Sequence, residues 1–256
     1  MDAFLKRLTK EAGTRAWKRF GKDGVHHTKS KNPTDAVTKA DIATERYIVS
    51  EIRKRYPTHG IIAEESGSKK ENAEYVWIID PIDGTLNFAT GIPLFGTMVA
   101  LMRRGKITMG AIYIPVNGEL FFARRGKGAY LNGRRIKASR ISRLARSRGA
   151  ISSTMSDRTL NFCRELHKAI RGKNTYMSAF GSLAVASSAV AAGRRDWYVS
   201  SSPHIHDNAA PSLILEEAGY RVTDVKGKNV TVGTTGIVAA VPRLHKILLA
   251  LTKKTL

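Results

Sequence analysis

Apolar positions along the chain first recur at helical spacing. The opening stretch MDAFLKRLTKEAGTRAWKRF spaces its apolar residues for one helix face, with Lys and Arg between them. We therefore predict a first helix that packs on the rest of the protein. A second helix is predicted over residues 35–56, where Tyr47, Ile48 and Ile52 share one face and Pro57 follows the end.

Short apolar runs separated by turns follow these helices. The run GIIAEES, residues 60–66, ends in two acids, and WIID, residues 77–80, ends in another. Four later runs predict strands of an antiparallel meander: LFGTMVALM, KITMGAIYI, GELFFARR and GAYLNGRRI. The dipeptides Arg104-Gly105 and Asn117-Gly118 predict turns between them.

The pattern changes after residue 148, where strands alternate with helices. GAISST, TYMSAF, DWYVSS and GIVAAV predict strands, and the predicted helices between and after them cover residues 157–171, 182–193, 207–218 and 242–254. The second of these helices consists of small residues, which favours close packing against a sheet. The fold class is therefore α/β, with an α+β half over residues 1–148 and an α/β half over residues 149–256.

Charge is the composition feature that changes this picture. The 256 residues carry a formal charge of +22, and between Arg103 and Arg148 the only acid is Glu119. Such an excess attracts polyanions such as RNA, or phosphorylated small molecules. The bases are spread along the sequence, so we predict at most weak nucleic-acid binding, with Arg124, Arg125, Arg134 and Arg135 on the meander's turns as the candidate surface.

Other functional classes are disfavoured by the composition. The single cysteine, Cys163, excludes an intrachain disulfide and a thiolate metal cluster and fits a reducing cytoplasm. No apolar run is long enough to span a bilayer. The sequence also has no Walker A loop and no GxSxG nucleophile motif.

The stretch WIIDPIDGTLNF, residues 77–88, raises the question of function. Asp-Pro and Asp-Gly both form turns, so a simple turn is one interpretation. The residues after Gly84 do not resume an alternating strand, however, and residues 85–91 read as irregular. The other interpretation is a strand end that delivers Asp80 and Asp83 to a site.

Further acids occupy unusual positions in a chain that has few of them. Glu64 and Glu65 end a strand, which a solvated terminus would also explain. Asp41 could belong to a capping box with Thr38, and Asp207 could be an ordinary helix cap. Taken together, these carboxylates predict a site for Mg²⁺, which prefers oxygen ligands and substrate phosphates.

These acids and the motifs around them resemble the inositol monophosphatase family, whose members are lithium-sensitive, Mg²⁺-dependent phosphatases. WIIDPIDGTLNF resembles the signature of that family. Its companions appear in order over nearly the whole chain: DAVTKAD at 35–41, IIAEES at 61–66, FGSLA at 180–184 and HDNAAPSLILEEAG at 206–219. The resemblance implies a layered αβαβα sandwich of the inositol monophosphatase and fructose-1,6-bisphosphatase type.

The resemblance also implies roles for individual residues. The metal ligands would be Glu64, Asp80, the carbonyl of Ile82, Asp83 and Asp207. Thr85, steadied by Asp41, would help Glu64 to activate the attacking water, and Glu65 would support the site. The substrate would be bound by Asp83, Gly84, Thr85, Gly181, Ser182 and Asp207.

Three departures concern the substrate side of the site. Ser200 occupies the position of a glutamate that contacts substrate hydroxyls in the family, and His206 occupies that of a tryptophan. Gly181-Ser182-Leu183 replaces a Gly-Thr-Ala. The His204 and His206 pair could also indicate a transition-metal site, although no Cys or further His motif accompanies it.

Two classes of function follow. The first is a cytoplasmic, homodimeric phosphatase that hydrolyses a small anionic phosphate monoester with Mg²⁺. Its substrate would be of the inositol 1-phosphate type, or else fructose 1,6-bisphosphate, histidinol phosphate or 3′-phosphoadenosine 5′-phosphate. The second is an RNA-binding or transcription accessory protein that uses the basic surface. The acids form a specific set and the bases a diffuse excess, which favours the phosphatase.

Overall fold

The computed structural model describes residues 1–29, 36–151 and 157–256. Within these ranges the chain forms seven α-helices. Their bounds are α1 Asp2–Arg19, α2 Lys39–Arg55, α3 Thr85–Ala89, α4 Asp157–Ile170, α5 Leu183–Ala191, α6 Ile205–Ala218 and α7 Pro242–Thr255.

The described strands form one large sheet, one smaller sheet and a separate two-stranded pair. The first nine strands are β1 Val25–Thr28, β2 Ala36–Thr38, β3 Gly60–Ala63, β4 Gly67–Lys69, β5 Tyr75–Asp83, β6 Gly96–Arg103, β7 Lys106–Ile114, β8 Glu119–Arg124 and β9 Ala129–Leu131. The other six are β10 Arg134–Arg135, β11 Arg148–Ile151, β12 Tyr176–Ala179, β13 Trp197–Ser200, β14 Arg221–Asp224 and β15 Ile237–Ala240.

The large sheet confirms the predicted meander. Its strand order is β10-β9-β8-β7-β6-β5-β3-β4, and the neighbours from β5 to β10 are antiparallel. The turn at Arg104-Gly105 has positive φ at both residues, as a two-residue hairpin requires. The smaller sheet has the order β12-β11-β13-β15-β14, in which β12, β11 and β13 are parallel.

These sheets and helices stack as five layers, which confirms the αβαβα sandwich. Helices α1 and α2 cover one face of the large sheet, α5 and α6 lie between the two sheets, and α4 and α7 cover the outer face of the smaller sheet. Three buried clusters fill the interfaces, represented by Trp77 under α1 and α2, Leu213 in the middle layer and Trp197 under α4 and α7. Fully burying a large apolar side chain contributes about 1.5–3 kcal/mol.

Several sequence predictions need correction. The second helix begins at Lys39 rather than at residue 35, because the short strand β2 precedes it, and residue 35 itself lies outside the described residues. Residues 85–89, which were predicted to be irregular, form the one-turn helix α3. The run GAYLNGRRI contains two strands rather than one, because Asn132 and Gly133 form a turn with positive φ.

The remaining boundaries lie close to those predicted. Strand β11 covers the described start of GAISST, and positions 152–154 of that run lie outside the described residues. The proposed division after residue 148 falls at the start of β11 and stays a prediction. Among the described helices, none combines the length and the apolar character needed to cross a bilayer.

Candidate metal centre

Parallel pairing of two strands brings Glu64 beside Asp80. Strands β3 and β5 are parallel neighbours, and Ala63 at the end of β3 lies opposite Ile79 in β5. The next residue of each strand is an acid. The parallel pairing therefore places Glu64, directly after β3, and Asp80, within β5, at the same edge of the large sheet.

A bulge in β5 turns Asp80 and Asp83 to one side. In the antiparallel pair with β6, Asp80 lies opposite Met98 and Asp83 lies opposite Gly96, so β5 contains one more residue than its partner here. In a regular strand, residues three apart point to opposite faces. The extra residue cancels this alternation and bends the strand, as β-bulges do near functional sites.

Helix α6 adds the third acid, Asp207, from its first turn. The positive end of a helix dipole favours a carboxylate at this position. Three carboxylate oxygens, one each from Asp80, Asp83 and Asp207, all lie within 4.8 Å of one another. Ser202 donates a hydrogen bond from its hydroxyl to Asp207 and orients the side chain.

Burial and mutual repulsion make these carboxyls difficult to ionise. Burial, together with the charge of Asp207, raises the pKa of Asp83 to about 7. Burial also raises the pKa of Asp207 to about 6. The pKa of Asp80 lies well above its usual range, because the group is buried and Glu64, Asp83 and Asp207 surround it. A cation at the centre of the cluster would relieve this repulsion.

The donor set of the cluster fits a hard divalent cation. Asp80 is 1% exposed, and its Oδ1 atom is buried without a hydrogen-bond partner among the described residues. An unsatisfied buried carboxylate oxygen is costly unless it binds a proton or a metal. Carboxylate oxygens are the ligands that Mg²⁺ and Ca²⁺ select, whereas transition metals favour imidazole or thiolate. The residues present therefore fit Mg²⁺.

Asp83 is held by the start of helix α5. Ser182 donates its hydroxyl to Asp83 Oδ2, and the amide of Ala184 donates to the same oxygen at 2.7 Å. Ser182 is also the N-cap of α5, since its hydroxyl accepts from the amide of Val185 at 3.1 Å. Ser182 therefore positions an acid of the cluster, and its predicted contact with substrate stays a prediction.

Gly84 makes the close approach of α3 and α5 possible. Its φ of 91° lies in the left-handed region, which favours glycine. A Cβ atom at this position would lie 2.9 Å from the Cβ of Ser182 and 2.9 Å from the carbonyl oxygen of Leu94. Both the backbone conformation and the space therefore require glycine directly after Asp83.

Thr85 and Asp41 form the predicted pair. The Oγ1 atom of Thr85 lies 3.0 Å from Asp41 Oδ1 and 2.9 Å from the carbonyl oxygen of Ile82. The capping box at the start of α2 is also present, because Asp41 accepts from the Thr38 amide at 2.8 Å. Both interpretations of Asp41 hold together. Burial raises the pKa of Asp41 to about 6.

Lys29 binds both glutamates at the end of β3. Its ammonium lies 2.6 Å from Glu64 Oε1 and 2.9 Å from Glu65 Oε1. Burial opposes the charged form of Lys29, but the two carboxylates outweigh it and raise the pKa of the amine. Burial and the charge of Glu64 raise the pKa of Glu65 to about 7. Lys29 therefore neutralises part of the negative charge at the edge of the cluster.

Sequence reasoning missed Glu45, which shapes the turn after β3. Its carboxylate accepts from the amide of Glu65 at 2.7 Å and from the amide of Ser66 at 2.8 Å. Glu45 is buried on the inner face of α2, between Asp41 and Ile48. An acid among buried positions of a helix needs partners, and that signal in the sequence could have identified it.

Of the departing positions, His206 lies beside Asp207, and Ser200 is linked to Asp207 through Ser202. Ser200 is buried at the end of β13, and its hydroxyl accepts from the amide of Ser202 at 3.1 Å. His206 stacks on His204 with ring centroids 5.1 Å apart, and burial lowers its pKa to about 4. Its Nε2 atom is 3.8 Å from Asp207 Oδ1. Both side chains are therefore placed where they could change substrate recognition.

Comparison with known proteins gives a consistent result. The model of the inositol monophosphatase family matches residues 1–255. The Nus factor SuhB of Pasteurella multocida is 33% identical over 259 residues, which cover 95% of this chain and 92% of that protein. The fructose-1,6-bisphosphatase/inositol-1-monophosphatase of Thermotoga maritima is 38% identical over 194 residues, which cover 76% of this chain and 73% of that protein.

A solved structure agrees in fold as well as in sequence. The crystal structure of the extragenic suppressor protein SuhB from Bartonella henselae superposes with a TM-score of 0.89 at 33% identity. The match covers 99% of this chain and 98% of that one. The similarity therefore includes all five layers and the strand ends that carry the acids.

Proposed function

The chain belongs to the inositol monophosphatase family, and from this premise we propose that it is a Mg²⁺-dependent phosphatase that hydrolyses a small phosphate monoester. The observation that carries the proposal is the cluster of Asp80, Asp83 and Asp207, with a buried Asp80 oxygen that no described residue satisfies. Such a cluster is costly in the folded protein unless it binds protons or a cation. It is therefore better explained by catalysis than by folding.

In this proposal Glu64, Asp80, the carbonyl of Ile82, Asp83 and Asp207 would hold the metal. Bound Mg²⁺ would supply a Lewis acid that activates water and stabilises negative charge on the phosphoryl oxygens. Ionised carboxylates repel a phosphate ester, so bound Mg²⁺ would also offset this repulsion.

Thr85 would take part in proton transfer. When its hydroxyl donates to Asp41 Oδ1, the lone pairs of Oγ1 remain free to accept a proton from an attacking water. The carboxylate of Glu64, at the end of β3, would orient that water from the other side. Asp41 would therefore position Thr85, because it contacts Thr85 rather than the substrate.

Substrate phosphate would bind at the amides of Gly84 and Thr85, where the chain turns from β5 into α3. Turn and helix-start amides that point outward commonly bind phosphate. The alcohol part of the substrate would lie against Gly181, Ser182, Asp83 and Asp207. A homodimer and a cytoplasmic location, which the family resemblance implies, stay predictions.

Stabilisation by Mg²⁺ should increase with pH. The pKa values of Asp83 and Asp207 are raised in the folded protein, so their contribution to the stability of the metal-free protein is complete below about pH 4 and is lost as pH rises through 6 to 7. Mg²⁺ requires the ionised carboxylates and competes with their protons. We expect saturating Mg²⁺ to raise Tm by about 5–10 °C near pH 8 and much less near pH 5.

Differential scanning calorimetry with excess Mg²⁺ and with EDTA, at both pH values, measures this difference. Asp83→Asn is the control, because the amide keeps the shape of the side chain but removes one titrating ligand. It should reduce the effect of Mg²⁺ near pH 8. An equal Tm shift at both pH values in the wild-type protein would contradict the assignment of the cluster as the metal site.

The departures predict a substrate other than inositol 1-phosphate, or broad specificity. Ser200 has a short hydroxyl that is already bonded to the Ser202 amide, so it cannot replace a glutamate that binds polyol hydroxyls. We expect kcat/KM for inositol 1-phosphate to be no higher than for one or more of the other phosphate esters. The candidates are fructose 1,6-bisphosphate, histidinol phosphate, 3′-phosphoadenosine 5′-phosphate and glycerol phosphates.

A panel of these esters, assayed by phosphate release, would rank them. Li⁺ should inhibit hydrolysis of whichever ester is preferred, as the family resemblance implies. Ser200→Glu offers a matched test, because it restores the carboxylate and should shift selectivity towards inositol 1-phosphate. Clear selectivity of the wild-type protein for inositol 1-phosphate would show that Ser200 does not determine the substrate.

A second candidate function is that of a transcription accessory protein. It is supported by the relatives named Nus factor SuhB and by the net charge of +22. The two functions use different parts of the molecule, since the acids lie at strand ends and the excess bases lie on the surface. Both can therefore exist in one chain.

A further inference from the structure

A groove of about 810 Å³ runs between α1 and α2 on the outer layer of the sandwich. Its lining contains five cationic side chains and one carboxylate, that of Glu11. The cations all come from α1: Arg7, Lys10, Arg15, Lys18 and Arg19. Helix α2 contributes Ala43, Thr44 and Tyr47. The groove is therefore strongly positive, and Ala43 and Tyr47 are its only described side chains without a strongly polar or charged head other than the two threonines.

The sequence of α1 produces this groove by separating two faces. The buried positions are Leu5, Leu8, Thr9, Ala12, Gly13 and Ala16, which pack towards the large sheet. The groove residues recur three and four positions apart on the other side of the helix. From residue 7 to residue 18 the helix rises about 16 Å, so the cations form a stripe of that length.

Most of this charge is not neutralised. Glu11 accepts from Arg7 at 3.3 Å and from the Tyr47 hydroxyl at 2.5 Å, and Arg19 pairs with Asp23. Within the described ranges, neither Lys10 nor Lys18 has a carboxylate within ion-pairing distance. An exposed stripe of like charges repels itself and attracts anionic partners.

Arg15 presents a flat surface inside the groove. Its guanidinium lies over the Tyr47 ring, 4.1 Å from the ring centroid. The Tyr47 hydroxyl is bonded to Glu11, so the ring, the guanidinium and the carboxylate hold one another in place. A guanidinium fixed in this way can stack against an unpaired base, as arginines do in single-stranded RNA complexes.

Positive charge continues on the other side of α2. A second groove of about 420 Å³ lies between α2 and β4, and it is lined by the cations Arg46, Arg53, Lys54 and Lys69. Glu51 pairs with Lys54 at 2.9 Å and Glu45 is used by the turn after β3. The two grooves together make the outer face of α1, α2 and β4 a basic face.

Of the four meander arginines predicted as a candidate surface, two are engaged in ion pairs and two have none among the described residues. Arg124 pairs with Asp2 at 3.0 Å, and Arg125 pairs with Glu216 at 3.1 Å. Arg134 and Arg135 are exposed on the edge strand β10. Cations of α1, α2 and β4, which are separate in sequence, thus lie together on the basic face because these elements are adjacent in the fold.

We propose that this basic face binds single-stranded RNA, with the phosphate backbone along the groove between α1 and α2. Phosphates match the stripe of cations, and Arg15 offers a stacking surface for a base. The Glu11 carboxylate would repel phosphate but accepts hydrogen bonds from hydroxyl donors, and a ribose 2′-hydroxyl is such a donor. A membrane surface fits less well, because the groove lacks the exposed apolar side chains that insert into lipid.

Fluorescence anisotropy with a labelled oligouridylate tests the proposal, with EDTA present to remove metal bridging. Neutralising about three phosphates on a single strand, one for each groove cation that forms no ion pair among the described residues, predicts a slope of log K against log salt near −2. The double variant Lys10→Glu/Lys18→Glu should weaken binding at least tenfold and reduce this slope. The matched control Arg134→Glu/Arg135→Glu makes the same charge change on β10 and should keep most of the affinity.

Each alternative outcome overturns a stated part of the proposal. Equal losses in both double variants would show that binding follows net charge rather than the basic face. Equal affinity for the corresponding oligodeoxynucleotide would show that the face does not select RNA over DNA. Stronger binding to an acidic polypeptide would show that its partner is a protein rather than RNA. The kcat for phosphate release by Lys10→Glu/Lys18→Glu should be unchanged, so a failure of the RNA proposal is separable from a failure of the phosphatase proposal.

Discussion

Asp80→Asn is expected to lower kcat for phosphate-ester hydrolysis by about three orders of magnitude while leaving the fold intact. The amide has nearly the same shape as the carboxylate but carries no charge, so it cannot serve as an anionic metal ligand between three other acids. Loss of a metal or of an oxyanion-stabilising group costs catalysis about 10²–10³-fold or more.

The same variant should not destabilise the metal-free protein. The pKa of Asp80 is raised well above its usual range, so its ionised form is unfavourable in the folded state, and removing the charge relieves repulsion with Asp83 and Asp207. We expect the Tm of Asp80→Asn in EDTA to equal or exceed that of the wild-type protein. Activity and stability should therefore change independently.

Asp196→Asn is the matched control, since it changes another buried aspartate outside the cluster. Burial opposes ionisation of Asp196, but bonds from Arg148 and Ser139 outweigh it and lower its pKa. The amide of Arg148 donates to it at 2.7 Å. This variant should lose about 1–3 kcal/mol in the free energy of unfolding and keep its kcat. If Asp80→Asn instead lost stability and kept activity, the metal assignment would be wrong.

Thr85→Ala is expected to lower kcat by about a hundredfold or more, with a smaller effect on KM. The alanine removes the hydroxyl that lies 3.0 Å from Asp41 Oδ1, and with it the route for a proton away from the attacking water. Positioned acid-base groups contribute about 10²–10⁴-fold. Thr85→Ser keeps the hydroxyl and should retain most of the activity.

Asp41→Asn tests the same route from the other side. The amide can still accept from the Thr38 backbone, but its NH₂ group would face Thr85 Oγ1 and reverse the hydrogen bond. If both residues act in one proton path, the double variant Asp41→Asn/Thr85→Ala should lose little more activity than Thr85→Ala alone. Fully additive losses would show that the two residues act separately.

The centre of the site could be predicted from the sequence because its parts are local. Asp80, Asp83 and Gly84 lie in one stretch, and Glu64 ends an apolar run that must be a neighbouring strand. The bulge could not be predicted in the same way. It depends on how β5 pairs with β6, and that register is set by packing across the whole sheet.

Other features depended on contacts between distant parts of the chain. Ser182 and Ala184 hold Asp83 across about a hundred residues of sequence, and Lys29, directly after strand β1, reaches Glu64 and Glu65. Such pairs leave no periodic signal in a single sequence. The cations of α1 recur along one helix in the sequence, but only folding brings them beside the cations of α2 and β4 that complete the basic face.

Few contacts in the structure bear on substrate specificity. Ser200 and His206 mark where this chain departs from the family's pattern; His206 lies beside Asp207, and Ser200 is linked to Asp207 through Ser202. The metal cluster, by contrast, is common to every candidate substrate. The claim of catalysis can therefore be tested before the substrate is known.

Metal-dependent phosphate release by the wild-type protein tests that claim most directly. Purified protein should be treated with EDTA, dialysed and assayed against the panel of phosphate esters while Mg²⁺ is titrated back, with Asp80→Asn measured in parallel. The account predicts no release without metal, saturable release with Mg²⁺ for at least one ester, and almost none from Asp80→Asn. Release that is independent of Mg²⁺, or equal in the wild-type protein and Asp80→Asn, would contradict it.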